Sequence, residues 1–135
     1  KIRRRIKTLL YSSFKNTCNG SFTKNTSSLK ILNCEIEFFR SHIEKQFVNW
    51  MSWDNHGNCE TNDYMCTFDF DHVIPVSYAK TEEEIYLLNH WSNFQPLCSK
   101  VNRDIKRAKV YPCTNLELMI TFWEDHYEYI NLEQL

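Results

Sequence analysis

Asp69-Phe70-Asp71-His72-Val73-Ile74-Pro75 is the stretch on which the reading of this chain turns, and two later segments give it meaning: Asn93-Phe94-Gln95-Pro96-Leu97-Cys98 and Asn102-Arg103-Asp104-Ile105-Lys106. Phe68 to Ile74 and Phe94 to Leu97 are the strand candidates, and Ser99 to Lys109 predicts the helix that follows them. Successive side chains on a strand point to opposite faces. Asp71 therefore offers a hard oxygen to a divalent cation on one side, while His72, facing the other way, is suited to taking a proton from water. Asn102, at the start of the basic helix, supplies a second oxygen. Arg103 and Lys106 are suited to phosphate. Asp69, two residues before Asp71 on the same strand face, is a further oxygen donor or an acceptor that supports a ligand.

These residues resemble the HNH family of ββα-metal nucleases, whose core is a strand ending in Asp-His, a loop, a strand with a central Asn, and a helix carrying the last Asn or His. His72 to Asn93 spans 21 positions and Asn93 to Asn102 spans 9, as such a hairpin and helix require. The likeness reaches upstream through Leu32-Asn33-Cys34-Glu35-Ile36-Glu37-Phe38-Phe39, Ser41-His42-Ile43-Glu44-Lys45-Gln46-Phe47 and Met51-Ser52-Trp53-Asp54-Asn55-His56-Gly57. That upstream pattern is similar to the HNH nucleases of phages and large DNA viruses, so that the resemblance covers about Leu29 to Lys109. It implies an α+β fold, a short two-stranded hairpin plus helix surrounded by additional helices. It also implies a metal-dependent endonuclease that nicks DNA or cuts both strands. His72 would be the general base, Asp71 and Asn102 would hold one Mg²⁺ or Mn²⁺, and Lys106 would steady the scissile phosphate. By the same resemblance Asn93 does not touch the metal; it braces the loop between the strands and so positions His72. Many HNH proteins carry Cys-x-x-Cys knuckles, but here Cys98 stands where a pair would begin and Val101 where it would end. Cys59, Cys66, Cys98 and Cys113 remain as an improvised set for structural Zn²⁺, a weak pattern without any Cys-x-x-Cys.

The net charge of −1 argues against a nucleic-acid binder, but its distribution reverses the argument. Lys1, Arg3, Arg4, Arg5, Lys7, Lys15, Lys24 and Lys30 fall in the first 30 residues with no acid among them. Lys100, Arg103, Lys106, Arg107 and Lys109 stand against Asp104 alone between Cys98 and Val110. Acids gather instead in Glu82-Glu83-Glu84, the first turn of a helix, and near the C-terminal end. Such a bipolar chain can present a basic face to DNA. Arg3, Arg4, Arg5, Lys7, Lys100, Arg103, Arg107 and Lys109 are the candidate contacts; a solvated tail is the bland alternative for the N-terminal run. We therefore expect a basic DNA-binding segment over 1–30 and a nuclease domain over 31–135.

With 15% aromatic residues and only two Gly and three Pro, the chain predicts an ordered, aromatic-packed interior and not a disordered segment. Six cysteines without a preceding signal peptide predict reduced thiols in a soluble intracellular protein; the resemblance to phage and virus nucleases implies that it is virus- or phage-encoded and acts in the host cytoplasm or nucleus. No apolar run approaches the roughly 20 residues that cross a bilayer, so no membrane partner is expected. A homodimer, and further domains before Lys1, are compatible with the chain.

Ile2, Ile6, Leu9 and Leu10 predict one face of a helix over Lys1 to Phe14, and Cys18 to Ser28 reads as a linker. Asn33 is the expected cap of a helix running to about Asn49, with Ile36, Phe39, Ile43 and Phe47 facing inward. Thr81 with Glu84, and Thr114 with Glu117, are capping boxes for helices to about Leu88 and Tyr129. Arg103, Lys106 and Lys109 advance by threes along one stripe of the helix after the hairpin. His42, His56, His90 and His126 compete with His72, but each falls in a segment that reads as packing or loop. The competing function is a non-catalytic nucleic-acid-binding module on a ββα scaffold; a weaker third reading is an interaction domain with an aromatic surface.

Overall fold

The computed structural model describes residues 2–24, 26–57, 67–107 and 109. They are α+β: helices α1 (Ile2–Lys15), α2 (Ser28–Leu32), α3 (Ile36–Glu44), α4 (Glu82–Leu88) and α5 (Ser99–Val101), with a two-stranded sheet of β1 (Phe68–His72) and β2 (Phe94–Cys98). The helix expected after Thr114 lies outside the described residues, as does His126. No helix among the described residues is long and apolar enough to cross a membrane.

The strands run antiparallel. Val73 N–H donates to Asn93 O at 2.8 Å past one end of the ladder, and Ser99 N–H donates to Thr67 O at 2.9 Å past the other. A single register satisfies both bonds; it sets Asp71 opposite Gln95 and His72 opposite Phe94.

Contacts sort the chain into two units, Lys1–Ile43 with His72–Phe94, and Glu44–Asp71 with Gln95–Leu135. The boundary expected after residue 30 falls inside α2.

In the first unit α1 buries Ile6, Leu10, Ser13 and Phe14, a stripe at helical spacing that leaves Ile2 and Leu9 half-covered. Phe14 meets Tyr86 of α4 edge-on, with centroids 5.1 Å apart. Ser27 caps α2, its hydroxyl accepting from Lys30 N–H. Asn33 does not open the next helix, as its capping chemistry suggested. It closes α2 in the left-handed region, at φ 61°, with its N–H on Leu29 O, a conformation asparagine tolerates better than most residues. The following helix, α3, starts at Ile36 and stops at Glu44, short of the expected Asn49, and buries Phe39 and Ile43. Phe39 packs on Phe94 at 5.5 Å. Before α4, Thr81 Oγ1 accepts from Glu84 N–H, but the Glu84 carboxylate takes the N–H of Lys80 in place of Thr81's own.

The core of the second unit is aromatic. Phe47, Trp53, His56, Phe68 and Phe70 interlock at centroid distances between 4.0 and 6.4 Å. His56 forms an isolated parallel bridge to Phe68 and stacks on its ring at 4.8 Å, which makes this imidazole a packing element. Gly57 follows at φ 106°, where a side chain would be strained, and donates its N–H to Phe68 O. Burying Phe68 completely is worth roughly 1.5–3 kcal/mol. After β2 the expected single helix to Lys109 gives way to a different geometry. α5 is three residues long and runs on into a π-helical turn, Asn102–Lys106, closed by Arg107 N–H on Asn102 O at 2.9 Å. Arg107 then stops the helix at φ 51°. The wider turn breaks the predicted stripe: Arg103 is exposed, Lys106 buried, and Lys109 exposed beyond the helix end. Turns of this type recur at functional sites.

Candidate active site

In the second unit the chemistry gathers on one face of β1. Because Asp69 and Asp71 are two residues apart, their carboxylates share that face. Gln95, directly opposite Asp71 in the ladder, donates from Nε2 to Asp71 Oδ2 at 2.9 Å. The π-helical turn brings Lys106 Nζ to 3.2 Å from both carboxylate oxygens of Asp71. Lys106 is 1% exposed and Asp71 7%. Asp69 takes four bonds: Ser99 Oγ and Arg103 Nη2 on Oδ1 at 2.9 and 3.2 Å, and Asn102 Nδ2 and Arg103 Nε on Oδ2 at 3.0 and 3.3 Å. Arg103 therefore grips Asp69 with both arms of its fork. Thr67 Oγ1 donates to Ser99 Oγ at 2.9 Å and completes the chain of hydroxyls that ends on Asp69.

Two carboxylates and two cations thus neutralise each other on one strand face. Burial pushes the Asp71 carboxyl above its ordinary 3.8; Gln95 and Lys106 pull it back down, and the charge of Asp69 adds to the rise. The folded chain then holds this proton to a higher pH than the unfolded chain does. Above 3.8 the folded state binds more protons, and the stability this carboxyl contributes declines as pH climbs through the window. Thermal melts of the parent and Asp71→Asn, taken upward from about pH 4, should show the difference between them moving against the parent as pH rises. A constant difference would refute the raised value.

In the first unit His72 is 9% exposed, its ring 4.5 Å from that of Phe94. Its Nε2 lies 2.7 Å from Oδ1 of Asn89, a residue with no exposed surface. Asn93 ties the loop between the strands at three points. Its Oδ1 accepts from Ile74 N–H at 2.9 Å, and its Nδ2 donates to Ile74 O at 2.9 Å and Leu88 O at 2.7 Å. His42 sits on Phe94 O through Nε2 at 3.0 Å and packs on Trp91; His90 caps the 3-10 turn Trp91–Asn93. Both are structural in this geometry.

The structure joins Asp71 to Lys106 directly, whereas Asn102 reaches Asp69 and not Asp71. Lys106, expected to face phosphate, is committed to a carboxylate. Arg3, Arg4, Lys7, Arg107 and Lys109 are exposed, Arg5 and Lys100 half-buried. Arg3 and Lys7 line a cavity of about 240 Å³ together with Ile6, Ser27, Ser28, Leu29 and Ile36. Of the four cysteines considered for zinc, only Cys98 is among the described residues, and it is buried on β2. Among the described residues no three His, Cys, Asp or Glu side chains are grouped to hold a metal ion. Gln95, Ser99 and Asn89 were missed from sequence. Gln95 follows from the register once β1 and β2 are paired; Asn89 gave no signal beyond a polar residue at a helix end.

No family model matches the chain, and no solved structure resembles it at a significant level. Its similarity is to uncharacterized proteins of Acanthamoeba polyphaga mimivirus. One is 37% identical over 111 residues, covering 80% of this chain and 44% of the relative. Another is 36% identical over 89 residues, covering 62% of this chain and 34% of the relative. The chain spans less than half the length of these curated relatives, and both are encoded by a large DNA virus.

Proposed function

We propose that this chain is a metal-dependent DNA endonuclease of the HNH type, with its β1–β2 hairpin and following helix acting as a ββα-metal core. The observation that supports it is the order along the fold: Asp71-His72 ends the first strand, Asn93 ties the loop, and Asn102 begins the π-helical turn that follows the second strand. A carboxylate and an amide oxygen are hard donors of the kind Mg²⁺ takes, and Asp71 already attracts a cation, the ammonium of Lys106. These residues fit a divalent ion in donor chemistry. Asp71 and Asn102 would hold it; when bound it would offset charge on the phosphate and the departing 3′ oxygen. It would compete with Lys106 for the same carboxylate. His72 takes the proton of the attacking water, and Asn93 holds the loop backbone next to it, so that the imidazole is not carried away by loop motion. The exposed cations of α1 and the helix end, Arg3, Arg4, Lys7, Arg107 and Lys109, attract the DNA backbone without regard to sequence. Because α1 buries Ile6, Leu10 and Phe14, truncation before Leu29 removes core as well as charge.

One observation favours a non-catalytic nucleic-acid-binding module instead: the Lys106 ammonium occupies Asp71. Supercoiled plasmid incubated with the protein and Mg²⁺, or with chelator, separates the two readings. Nicking or linearisation that chelator abolishes is the expected result. Asn102→Ala should need more Mg²⁺ for half-maximal rate, with excess metal restoring part of it. Plasmid retained on a gel but never cut would establish the binding module.

A further inference from the structure

The geometry assigns a positioning role to Asn89, a residue outside the motif: we propose that its side-chain oxygen holds His72 with a proton on Nε2, so that Nδ1 is the basic nitrogen. This rests on the nuclease reading for its consequence, though not for its observation.

An amide side chain can be turned either way, and its partners decide the orientation. Asn89 Nδ2 lies 2.9 Å from Ile85 O, a carbonyl that can only accept. The nitrogen must therefore point there and the oxygen the other way, toward His72 Nε2 at 2.7 Å. Ser13 Oγ, 3.2 Å from the same oxygen and 3.0 Å from Leu9 O, shares its one proton between two acceptors and does not oppose this orientation. Two acceptors cannot bond to one another, so Nε2 carries the hydrogen and the lone pair of the neutral ring sits on Nδ1. Asn89 has no exposed surface, and Ser13 is 3% exposed. No bulk water competes for the bond, and losing it would leave a buried donor without its acceptor. The ring also packs against Phe94, a contact that restricts the imidazole without choosing a tautomer. Three separate segments thus converge on one hydrogen position: α1 through Ser13, the end of α4 through Asn89, and β1 through His72.

The test is long-range ¹H–¹⁵N correlation of the full chain with ¹⁵N-labelled histidine, at about pH 8 where an imidazole is neutral. The His72 signals are identified by their disappearance in His72→Gln. The parent should show Nε2 protonated and Nδ1 bare. Asn89→Leu, close in size but without an acceptor, should move His72 toward a tautomer mixture; Asn89→Asp, which keeps an acceptor oxygen, should restore Nε2–H. In plasmid cleavage Asn89→Leu should lower kcat about 10-fold to 100-fold with KM little changed, since tautomer control acts on the proton transfer and not on DNA affinity. A parent with the proton on Nδ1, or an Asn89→Leu variant with the parental tautomer, would overturn the proposal. Should Asn89→Leu fail to fold, the parent spectrum alone still decides it. A parent that shows the Nε2–H tautomer yet cuts no DNA would overturn the nuclease reading while the assignment of the proton stands.

Discussion

His72→Ala is expected to leave supercoiled plasmid intact under conditions in which the parent nicks or linearises it, with a fall in rate of about 10²–10⁴-fold, the usual contribution of a positioned general base. DNA binding should survive, because the base acts on the transition state and touches no phosphate in the ground state. The substitution also takes an aromatic partner from Phe94 and a hydrogen-bond partner from Asn89, so a melt must accompany the assay. Cleavage by a folded His72→Ala protein at the parental rate, in a preparation free of contaminating nuclease, would remove His72 from the mechanism.

The second large effect is on stability. Lys106 and Asp71 form an ion pair that water hardly reaches, with side chains 1% and 8% exposed. Removing one partner strands the other charge, which in such settings costs about 3–5 kcal/mol, whereas replacing both together costs much less. Lys106→Met should therefore unfold at markedly lower urea than the parent near neutral pH, and the double variant Lys106→Met with Asp71→Leu should recover much of the loss. The same reasoning gives a pH signature. Without the ammonium, burial acts on Asp71 with less opposition, so Lys106→Met should lose more ground at neutral pH than in acid. A Lys106→Met protein as stable as the parent would show that the pair is not buried in solution.

How far these features could be read from sequence depends on the kind of interaction that fixes them. The hairpin was legible because its strands are bounded by strong local signals, Pro75 after the first and Asn93 before the second, and because alternation along a strand separates Asp71 from His72 whatever surrounds them. Helix ends were less legible: Asn33 is a residue that can open a helix or close one, and only the packing of Ile31 and Leu32 on one side and Phe39 on the other decides between them. The cation pairing could not be seen at all. Spacing by threes puts Arg103 and Lys106 on one stripe of an α-helix, but the π-helical turn changes the angular step, and one cation ends exposed on Asp69 while the other is buried on Asp71. Asn89 reaches His72 across 17 residues of chain through a fold that no local pattern encodes. For the N-terminal run, charge and packing were both written in the sequence, and the helix accommodates both by turning Ile6 and Leu10 inward and Arg3, Arg4 and Lys7 outward.

The alternation along β1 carries a further consequence for how this protein can vary. Thr67, Asp69 and Asp71 belong to a polar network, and the intervening Phe68 and Phe70 to the packed rings. Adding or deleting one residue within the strand would exchange the two sets, driving carboxylates among the rings and phenyl groups among the cations. Natural length changes in this lineage are accordingly expected to spare β1 and β2, and with them α4 and its end, where Leu88 and Asn89 bond Asn93 and His72, and to accumulate in the stretch between Ile74 and Thr81.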